Sequence, residues 1–278
     1  STPPFQNAMA MDANRCGIPV VYGFCRGVGS VSYAAAVLLL GFVLERHAPT
    51  LLLPIFAALT ACGLLAMSGF RLPERPDEAA DRLAEHRSIA AVLRSHPRFA
   101  LTLLGCMFFF LTHTISNTYM NALVGKAGGT ASAVGTSLAI SAVLELPAMT
   151  LVSRLQKRFS PGFFLRFAAG AEVVKFLIFY LARSMPLIYL GHCMQFFQFA
   201  VYAPATVYYV AAALPERDQL KGQSLIYVAG SGLGGALGNL LGGRLLDRSG
   251  IQAALLLGTV SAAASLLTFC LSTREDSR

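Results

Sequence analysis

The sequence has few charged residues, and it contains no motif that is typical of a catalytic or metal-binding site. Only 13% of its 278 residues are charged, while 55% are hydrophobic. That balance leaves too little polar surface for the exterior of a soluble globular protein. A Ser/His/Asp or metalloprotease pattern is absent, and His86 and His96 have no further ligand candidates beside them. We therefore expect a protein that is not an enzyme and holds no metal and no cofactor.

Paired cysteines and strand-like alternation are absent as well. The six cysteines include no Cys-x-x-Cys pair, and most lie within or beside apolar stretches. They are expected to pack as small apolar side chains rather than to form a disulfide framework. The alternation of polar and apolar residues that a membrane β-barrel requires is also missing, so an all-α fold is expected.

The sequence does contain long apolar stretches, each of which can cross a bilayer as a helix. About 20 apolar residues match a hydrocarbon core of about 30 Å. Together the stretches predict a polytopic membrane helix bundle, surrounded by lipid, with about eight transmembrane helices. They lie near 20–44, 50–69, 99–124, 132–152, 163–182, 186–213, 223–246 and 251–271.

The net charge of +8 is distributed in a way that indicates membrane topology rather than nucleic-acid binding. If the connection at 71–98 is cytoplasmic, the other connections alternate between the two sides. The cytoplasmic side then holds most of the Lys and Arg residues, as the positive-inside rule requires. We expect a multi-pass protein of the inner membrane with both termini in the cytoplasm and no nucleic-acid partner.

An internal sequence repeat suggests how the spans are organised. Residues 41–46 read Gly-Phe-Val-Leu-Glu-Arg and residues 243–248 read Gly-Arg-Leu-Leu-Asp-Arg, and each segment closes one apolar span shortly before another. Such repetition is typical of duplicated transporters. We predict that 1–70 ends an N-terminal six-helix half, that 71–98 is a cytoplasmic central loop, and that 99–278 is a C-terminal six-helix half.

That division makes the chain a fragment that lacks four upstream helices, over roughly 100 residues. The alternative is an eight-helix membrane protein, either an enzyme or a scaffold that transports nothing.

Three motifs carry a resemblance to a known family. Residues 22–30 read Tyr-Gly-x-x-Arg-x-x-Gly-Ser, residues 145–147 read Glu-Leu-Pro before a basic loop, and residues 221–223 read Lys-Gly-Gln before the glycine-rich stretch 230–243. They resemble the fifth, eighth and eleventh helices of major facilitator superfamily transporters, in the lactose-permease-like branch of oligosaccharide:proton symporters. The glycine-rich stretch lies within a span and is expected to let helices approach closely.

The resemblance implies a monomeric secondary transporter that moves a sugar or related small polar solute by alternating access, together with a proton. It implies that helices 5–12 of 12 are present. An uncoupled facilitator of the same fold stays open as an alternative.

A charge near the bilayer centre is costly unless it faces the bundle interior, and four ionisable residues are candidates for such positions: Arg26, Glu145, Glu172 and Lys175. Arg26 fits the family's substrate-binding arginine, or its side chain extends to the cytoplasmic interface. Glu145, two residues before Pro147, is a candidate for binding the transported proton. Glu172 and Lys175 are three apart and share a helix face, so they either neutralise each other or act in transport. Glu172 is then a proton candidate and Lys175, near the family's ninth-helix arginine, a substrate candidate.

Uncharged polar residues complete the candidate site. His192, Gln195 and Gln198 form a polar stripe on a Phe-rich span. The family's tenth helix carries a histidine and a glutamate used in proton coupling, and here those positions hold Gln195 and Gln198. The two glutamines are therefore substrate candidates, and His192 one turn earlier is a proton candidate. Alternatively, the histidine is a hydrogen-bonded core residue.

Three more residues are substrate candidates. Asn117 and Asn121 follow His113 at helical spacing and suit polar hydroxyl groups, although they can equally link helices. Tyr33 occupies the position at which the family stacks an aromatic ring on its sugar, or it packs as an ordinary core residue.

Overall fold

The computed structural model describes residues 22–46, 48–69, 88–156 and 158–273, and every regular element within them is helical. A 3-10 turn at Met194–Phe196 separates the helices Met185–Cys193 and Phe199–Ala213, and a π-helical segment at Val228–Gly234 joins the helices Glu216–Tyr227 and Gly235–Ser249. The all-α fold is therefore confirmed. The helices are α1 (Tyr22–Arg46), α2 (Leu52–Ser68), α3 (Ile89–Ser95), α4 (Pro97–Thr118), α5 (Met120–Lys126), α6 (Ala131–Leu155), α7 (Pro161–Leu181), α8 (Met185–Cys193), α9 (Phe199–Ala213), α10 (Glu216–Tyr227), α11 (Gly235–Ser249) and α12 (Ile251–Ser272).

The helices reproduce the eight predicted apolar spans. In the described ranges, five helical stretches are long and apolar enough to cross a membrane, counting α8–α9 and α10–α11 each as one stretch. The apolar parts of α1 and α2 are shorter. The remaining span, α7, is 21 residues long and carries three charged residues, Arg166, Glu172 and Lys175.

Local sequence accounts for where several helices begin and end. Ser160 caps α7 by accepting a hydrogen bond from the Phe163 amide at 3.2 Å, and Pro161 fits the first helical turn, where no amide donor is needed. Between α11 and α12 the chain turns at Gly250, whose φ of 76° is favourable only for glycine. The two repeated motifs, at 41–46 and 243–248, lie at the ends of α1 and α11, and each is followed by a short turn and another helix.

Two predicted boundaries were wrong. The span at 99–124 ends as a helix at Thr118, and Tyr119 separates it from the short helix α5. The span at 186–213 is not continuous, because the 3-10 turn interrupts it. The connection at 71–98 includes α3, whose Val92 is completely buried, and α4 begins at Pro97. Residues 71–87 of that connection lie outside the described residues, and its place as a cytoplasmic central loop stays a prediction.

The buried core sits where α4, α7, α9 and α12 meet, and small residues let these helices approach closely. Gly238 of α11 lies against the backbone of α4, because a Cβ there would come within 2.6 Å of the Leu111 carbonyl oxygen. The first described helix, α1, packs along α6 through a separate cluster of Ala34, Ala139 and Ala142. The core thus joins the helices that follow α3, and one seam attaches α1 to them.

Candidate functional site

The interruption between α8 and α9 brings two amide side chains into the protein interior. Gln195 lies in the 3-10 turn and Gln198 at the start of α9, and both are buried. Interrupted membrane helices expose polar backbone and side-chain groups at the binding sites of many transporters. Here the interruption between α8 and α9 lies at the centre of a group of polar side chains.

A chain of side-chain hydrogen bonds crosses four helical elements at this point. The Ser30 hydroxyl of α1 donates to Glu145 Oε2 at 2.8 Å, and Gln195 Nε2 donates to Glu145 Oε1 at 3.2 Å. Lys175 Nζ, 1% exposed on α7, donates to Gln195 Oε1 at 2.9 Å. The amide of Gln195 therefore bridges the ammonium group to the Glu145 carboxyl group. We define Ser30, Glu145, Gln195, Lys175 and Glu172 as the polar cluster.

Glu172 differs from Glu145 in its surroundings. It is fully buried one turn before Lys175, and neither carboxyl oxygen has a hydrogen-bond partner among the described residues. Both Glu172 and Glu145 lie within electrostatic range of the Lys175 ammonium group. Gln198 lies near Glu172, but its amide atoms also lack partners in the described part of the chain. The cluster thus contains one cation and two carboxyl groups.

His192 lies beside this cluster without joining its hydrogen-bond chain. Its ring Nδ1 is 2.7 Å from the Ser141 hydroxyl of α6, and the ring lies 5.1 Å from that of Phe179. His192 Nε2 has no partner among the described residues. A buried histidine that is held by a serine fits the interpretation as a hydrogen-bonded core residue, and its role in proton coupling stays a prediction.

The predicted row of His113, Asn117 and Asn121 is only partly brought together. Asn117 Nδ2 lies 3.2 Å from His113 Nε2 and donates to the His113 carbonyl oxygen at 2.8 Å. The imidazole stacks on Phe199 with ring centres 4.5 Å apart. Asn121 is exposed on α5, beyond the helix break at Tyr119, so it does not continue the same helical face.

The two candidates on α1 are described to different extents. Tyr33 is 51% exposed and lies within electrostatic range of Glu145. Arg26 lies in the α1 backbone, but its side chain is outside the described residues.

An aromatic pocket lies next to the polar cluster, between α4, α9, α10 and the π-helical segment. Its volume is about 160 Å³, and none of its lining residues is charged. The Tyr202 ring on its wall stacks on Phe109 with ring centres 3.9 Å apart. Its lining includes Phe110, Phe199, Tyr202, Gln223, Tyr227 and Ser231.

Sequence reasoning missed Ser30 and Ser141 as members of the site. Hydroxyl groups in membrane helices often bond to their own backbone, as Thr136 and Thr150 do here. The serine type alone therefore gives no signal. The spacing of Ser30 within the 22–30 motif is the one local hint.

Comparisons with known proteins give a consistent picture. Residues 18–257 match the family model described as MFS_1 like family. The chain is 28% identical to a maltose permease of Geobacillus stearothermophilus over 257 residues, and 23% identical to the uncharacterized transporter YwbF of Bacillus subtilis (strain 168) over 258 residues. Each alignment covers 92% of this chain and 64% of the relative. The chain thus spans less than two thirds of the length of these relatives.

A solved structure is similar to the fold. It is the major facilitator superfamily transporter FucP in the outward conformation, with a TM-score of 0.54 and 18% sequence identity. The match covers 83% of this chain and 59% of that one. At this identity the likeness concerns the arrangement of the helices.

Proposed function

Because the chain belongs to the MFS_1 like family of major facilitator transporters, we propose that its protein carries a sugar or related small polar solute across the membrane together with a proton. The similarity to a maltose permease supports a sugar as the solute. The polar cluster, in which two carboxyl groups share one buried cation, is the observation that carries the proton-coupling part. The distribution of basic residues supports cytoplasmic termini in an inner membrane.

We further propose that the seam between α1 and α6 joins the two halves of the transporter. The six spans from α4 to α12 then form one half, and α1 and α2 belong to the other. The Ser30–Glu145 hydrogen bond crosses this seam, so a change in the Glu145 carboxyl group acts directly on the contact between the halves. Alternating access requires such contacts to break and re-form as the halves move.

The hydrogen bonds suggest which acid holds the proton in this conformation. Glu145 accepts two hydrogen bonds, which suits a carboxylate. Glu172 is fully buried and accepts no hydrogen bond of normal geometry from the described residues, although the Gln198 amide and the Lys175 ammonium group lie near it. Burying a carboxylate without a hydrogen bond is more costly than burying a neutral acid. We therefore assign the transported proton to Glu172.

Release of that proton leaves a carboxylate at Glu172, which competes with Gln195 for the Lys175 ammonium group. The proton leaves toward water, its bonding electron pair stays on the Glu172 carboxylate, and this new anion lies one helical turn from Lys175. Attraction to Glu172 then draws the ammonium group away from Gln195. The Gln195 amide loses the contact that orients it toward Glu145, and the seam at Ser30 weakens. Proton release is thereby linked to movement of the halves.

The solute contacts remain the candidates given by the sequence. Asn117 and the exposed Tyr33 and Asn121 offer polar groups outside the buried core, and Arg26 is added by the family resemblance.

The test is uptake of radiolabelled maltose and glucose into vesicles that contain the full gene product, with and without an inward proton gradient. We expect the gradient to raise accumulation at least tenfold and an uncoupler to abolish that rise. Glu172→Gln imitates the protonated acid permanently, so it should lose gradient-driven accumulation but retain exchange of solute for solute. Asp247→Asn, an exposed acid at the end of α11, is the matched control and should behave as the unaltered protein.

Two outcomes would change the conclusion. Uptake that is independent of both the proton gradient and the uncoupler would identify an uncoupled facilitator. That alternative is favoured by the glutamines at positions 195 and 198. Normal gradient-driven accumulation by Glu172→Gln would remove Glu172 from the coupling step.

A further inference from the structure

Four exposed phenylalanines form a continuous row on the outer surface of the protein. Phe159, in the connection between α6 and α7, stacks on Phe163 with ring centres 4.9 Å apart, and Phe163 stacks on Phe167 at 6.1 Å. Phe167 meets Phe197 edge to face, with ring centres 6.2 Å apart. All four side chains are more than a third exposed. We call Phe159, Phe163, Phe167 and Phe197 the phenylalanine row.

The row leads from one end of α7 to the outer side of the helix interruption. Phe197 directly follows the 3-10 turn at Met194–Phe196, two residues after Gln195. Gln195 is buried in the polar cluster, whereas Phe197 is exposed. In a bundle that crosses the bilayer, an exposed apolar surface is covered by lipid acyl chains. An acyl chain that lies along the row therefore reaches the outer side of the turn that carries Gln195.

Two arginines lie at the end of the row where the polypeptide leaves the membrane. Arg154 is in the last turn of α6, Arg158 directly precedes Phe159, and both arginine side chains are exposed. The Arg158 amide donates to the Leu155 carbonyl oxygen at 2.8 Å, so the connection is tight and holds both arginines near Phe159. Neither arginine forms an ion pair with an acidic side chain in the described part of the chain. Their positive charges are therefore available to an anionic group at the membrane surface.

Charge and position together define the kind of lipid that fits. A zwitterionic lipid has no net charge, so two arginines give it little advantage over its neighbours. Basic residues beside the ends of membrane helices attract anionic headgroups instead. The long arginine side chain can keep its stem against apolar surface while its guanidinium group reaches the headgroup layer.

We propose that Arg154 and Arg158 bind the headgroup phosphate of an anionic phospholipid, one acyl chain of which lies along the phenylalanine row. The site goes beyond the proposed transport function, because it involves neither the solute nor the proton. In the proposed topology the lipid belongs to the cytoplasmic leaflet. Its acyl chain then packs against the outside of the helix interruption whose inner side holds the polar cluster.

The experiment measures quenching of tryptophan fluorescence by phospholipids with brominated acyl chains, which quench only at close range. The 278 residues contain no tryptophan, so Phe167→Trp places a reporter in the row, and any tryptophan elsewhere in the full gene product is replaced by phenylalanine. The protein is reconstituted in vesicles of phosphatidylcholine and phosphatidylglycerol, with one or the other brominated. We expect phosphatidylglycerol to bind beside this reporter about fivefold more tightly than phosphatidylcholine, the effect of one basic residue near an anionic headgroup. High salt should reduce the preference.

Two controls separate this site from a general attraction of anionic lipid to a basic protein. Arg154→Gln with Arg158→Gln should abolish the preference at the Phe167→Trp reporter. Arg244→Gln with Arg248→Gln removes the same charge at the same spacing from exposed positions of α11 and should leave the preference unchanged.

A second reporter, Leu267→Trp, lies on α12 at a position that is 60% exposed. It is near the same end of the bundle, because Arg166 of α7 donates to the Thr273 carbonyl oxygen at 3.0 Å. Whatever lipid preference this reporter shows, the change at Arg154 and Arg158 should not alter it.

Three results would overturn the proposal. Equal quenching by the two brominated lipids at Phe167→Trp would mean that the row contacts ordinary bilayer lipid. A preference that survives the change at Arg154 and Arg158 would remove the headgroup site. Quenching by neither lipid would mean that protein covers the row. Because the assay contains no solute and no proton gradient, each of these results leaves the transport proposal standing, and a failure of gradient-driven uptake leaves the lipid site standing.

Discussion

At the scale of single residues, the protein places one cation between two acids where water is scarce. Lys175 donates to Gln195, Gln195 donates to Glu145, and Glu172 lies one turn away with no donor among the described residues. Removing one member of a buried charge pair leaves its partner uncompensated, which costs more than the intact pair contributes. The Lys175 ammonium group is therefore the member whose loss has the largest effect on stability.

Lys175→Met is predicted to destabilise the folded protein by about 3–5 kcal/mol, because the Glu145 carboxylate loses the buried cation that is linked to it through Gln195. The double variant Lys175→Met with Glu145→Gln should recover part of this loss, since it removes the uncompensated carboxylate. The measurement is the thermal unfolding midpoint of the purified protein in detergent. If the double variant is no more stable than Lys175→Met alone, Glu145 and Lys175 are not energetically coupled.

Much of this residue-level picture could be predicted from the sequence, but its connections could not. Glu145, Glu172, Lys175 and Gln195 stand out because polar and charged groups are rare within apolar spans. Their pairing depends on how four helical elements pack, and no local pattern encodes it. Spacing indicated that Glu172 lies beside Lys175, and the two are within electrostatic range. That the ammonium group donates to Gln195 in the 3-10 turn could not be read from spacing.

At the scale of helices, the seam between α1 and α6 depends on a glycine, Gly135, which has no Cβ. A Cβ added at Gly135 would lie 2.7 Å from the Val37 carbonyl oxygen and 3.3 Å from the Gly41 Cα. Both obstacles belong to the α1 backbone, which cannot move aside as a flexible side chain can. The two helices can approach this closely at Gly135 because that residue has no Cβ.

Gly135→Ala should therefore push α1 away from α6 and lower the thermal unfolding midpoint by several degrees. Gly170→Ala on α7 is the matched control, because a Cβ there meets nothing within 4 Å. It should be neutral or slightly stabilising, as alanine is a better helix former than glycine by about 1 kcal/mol. Equal midpoints for the two variants would mean that the seam is not tightly packed.

Helix positions followed from the sequence more completely than helix interruptions did. Apolar runs and caps such as Ser160 before Pro161 are local signals, and they located α1, α2, α6, α7 and α12 to within a few residues. The break at Met194–Phe196 contains no proline or glycine. The break coincides with the buried Gln195. The polar cluster therefore packs at this break, where no local helix breaker is present.

At the scale of the whole molecule, the topology connects the loops to the sides of the membrane. The helix order places the turn near Arg183 on the opposite side from the turn between α9 and α10 near Arg217. If the proposed topology is right, a single cysteine at Arg183 will react with an impermeant maleimide added outside intact cells. One at Arg217 will react only after the cells are opened. The reverse pattern would invert the proposed orientation.

The proposed alternating access makes a stronger demand, because it requires the α1–α6 seam to change while each proposed half stays intact. A Cβ at Gly41 would lie 3.4 Å from the Ser132 Cα, so the two Cα atoms are no more than about 5 Å apart, a separation that a disulfide bond can span. We expect Gly41→Cys with Ser132→Cys, in a background where the six native cysteines are replaced by alanine, to lose solute uptake at least tenfold on oxidation.

Reduction should restore that uptake, and each single cysteine variant should be insensitive to the oxidant. Ser30 and Glu145 lie further along the same antiparallel pair, so a crosslink at Gly41 restricts the seam without touching the polar cluster. Undiminished uptake by the fully oxidised protein would show that α1 and α6 need not separate at this end. The movement that proton release triggers would then have to be confined to the cluster, and the coupling through Ser30 would have no mechanical consequence.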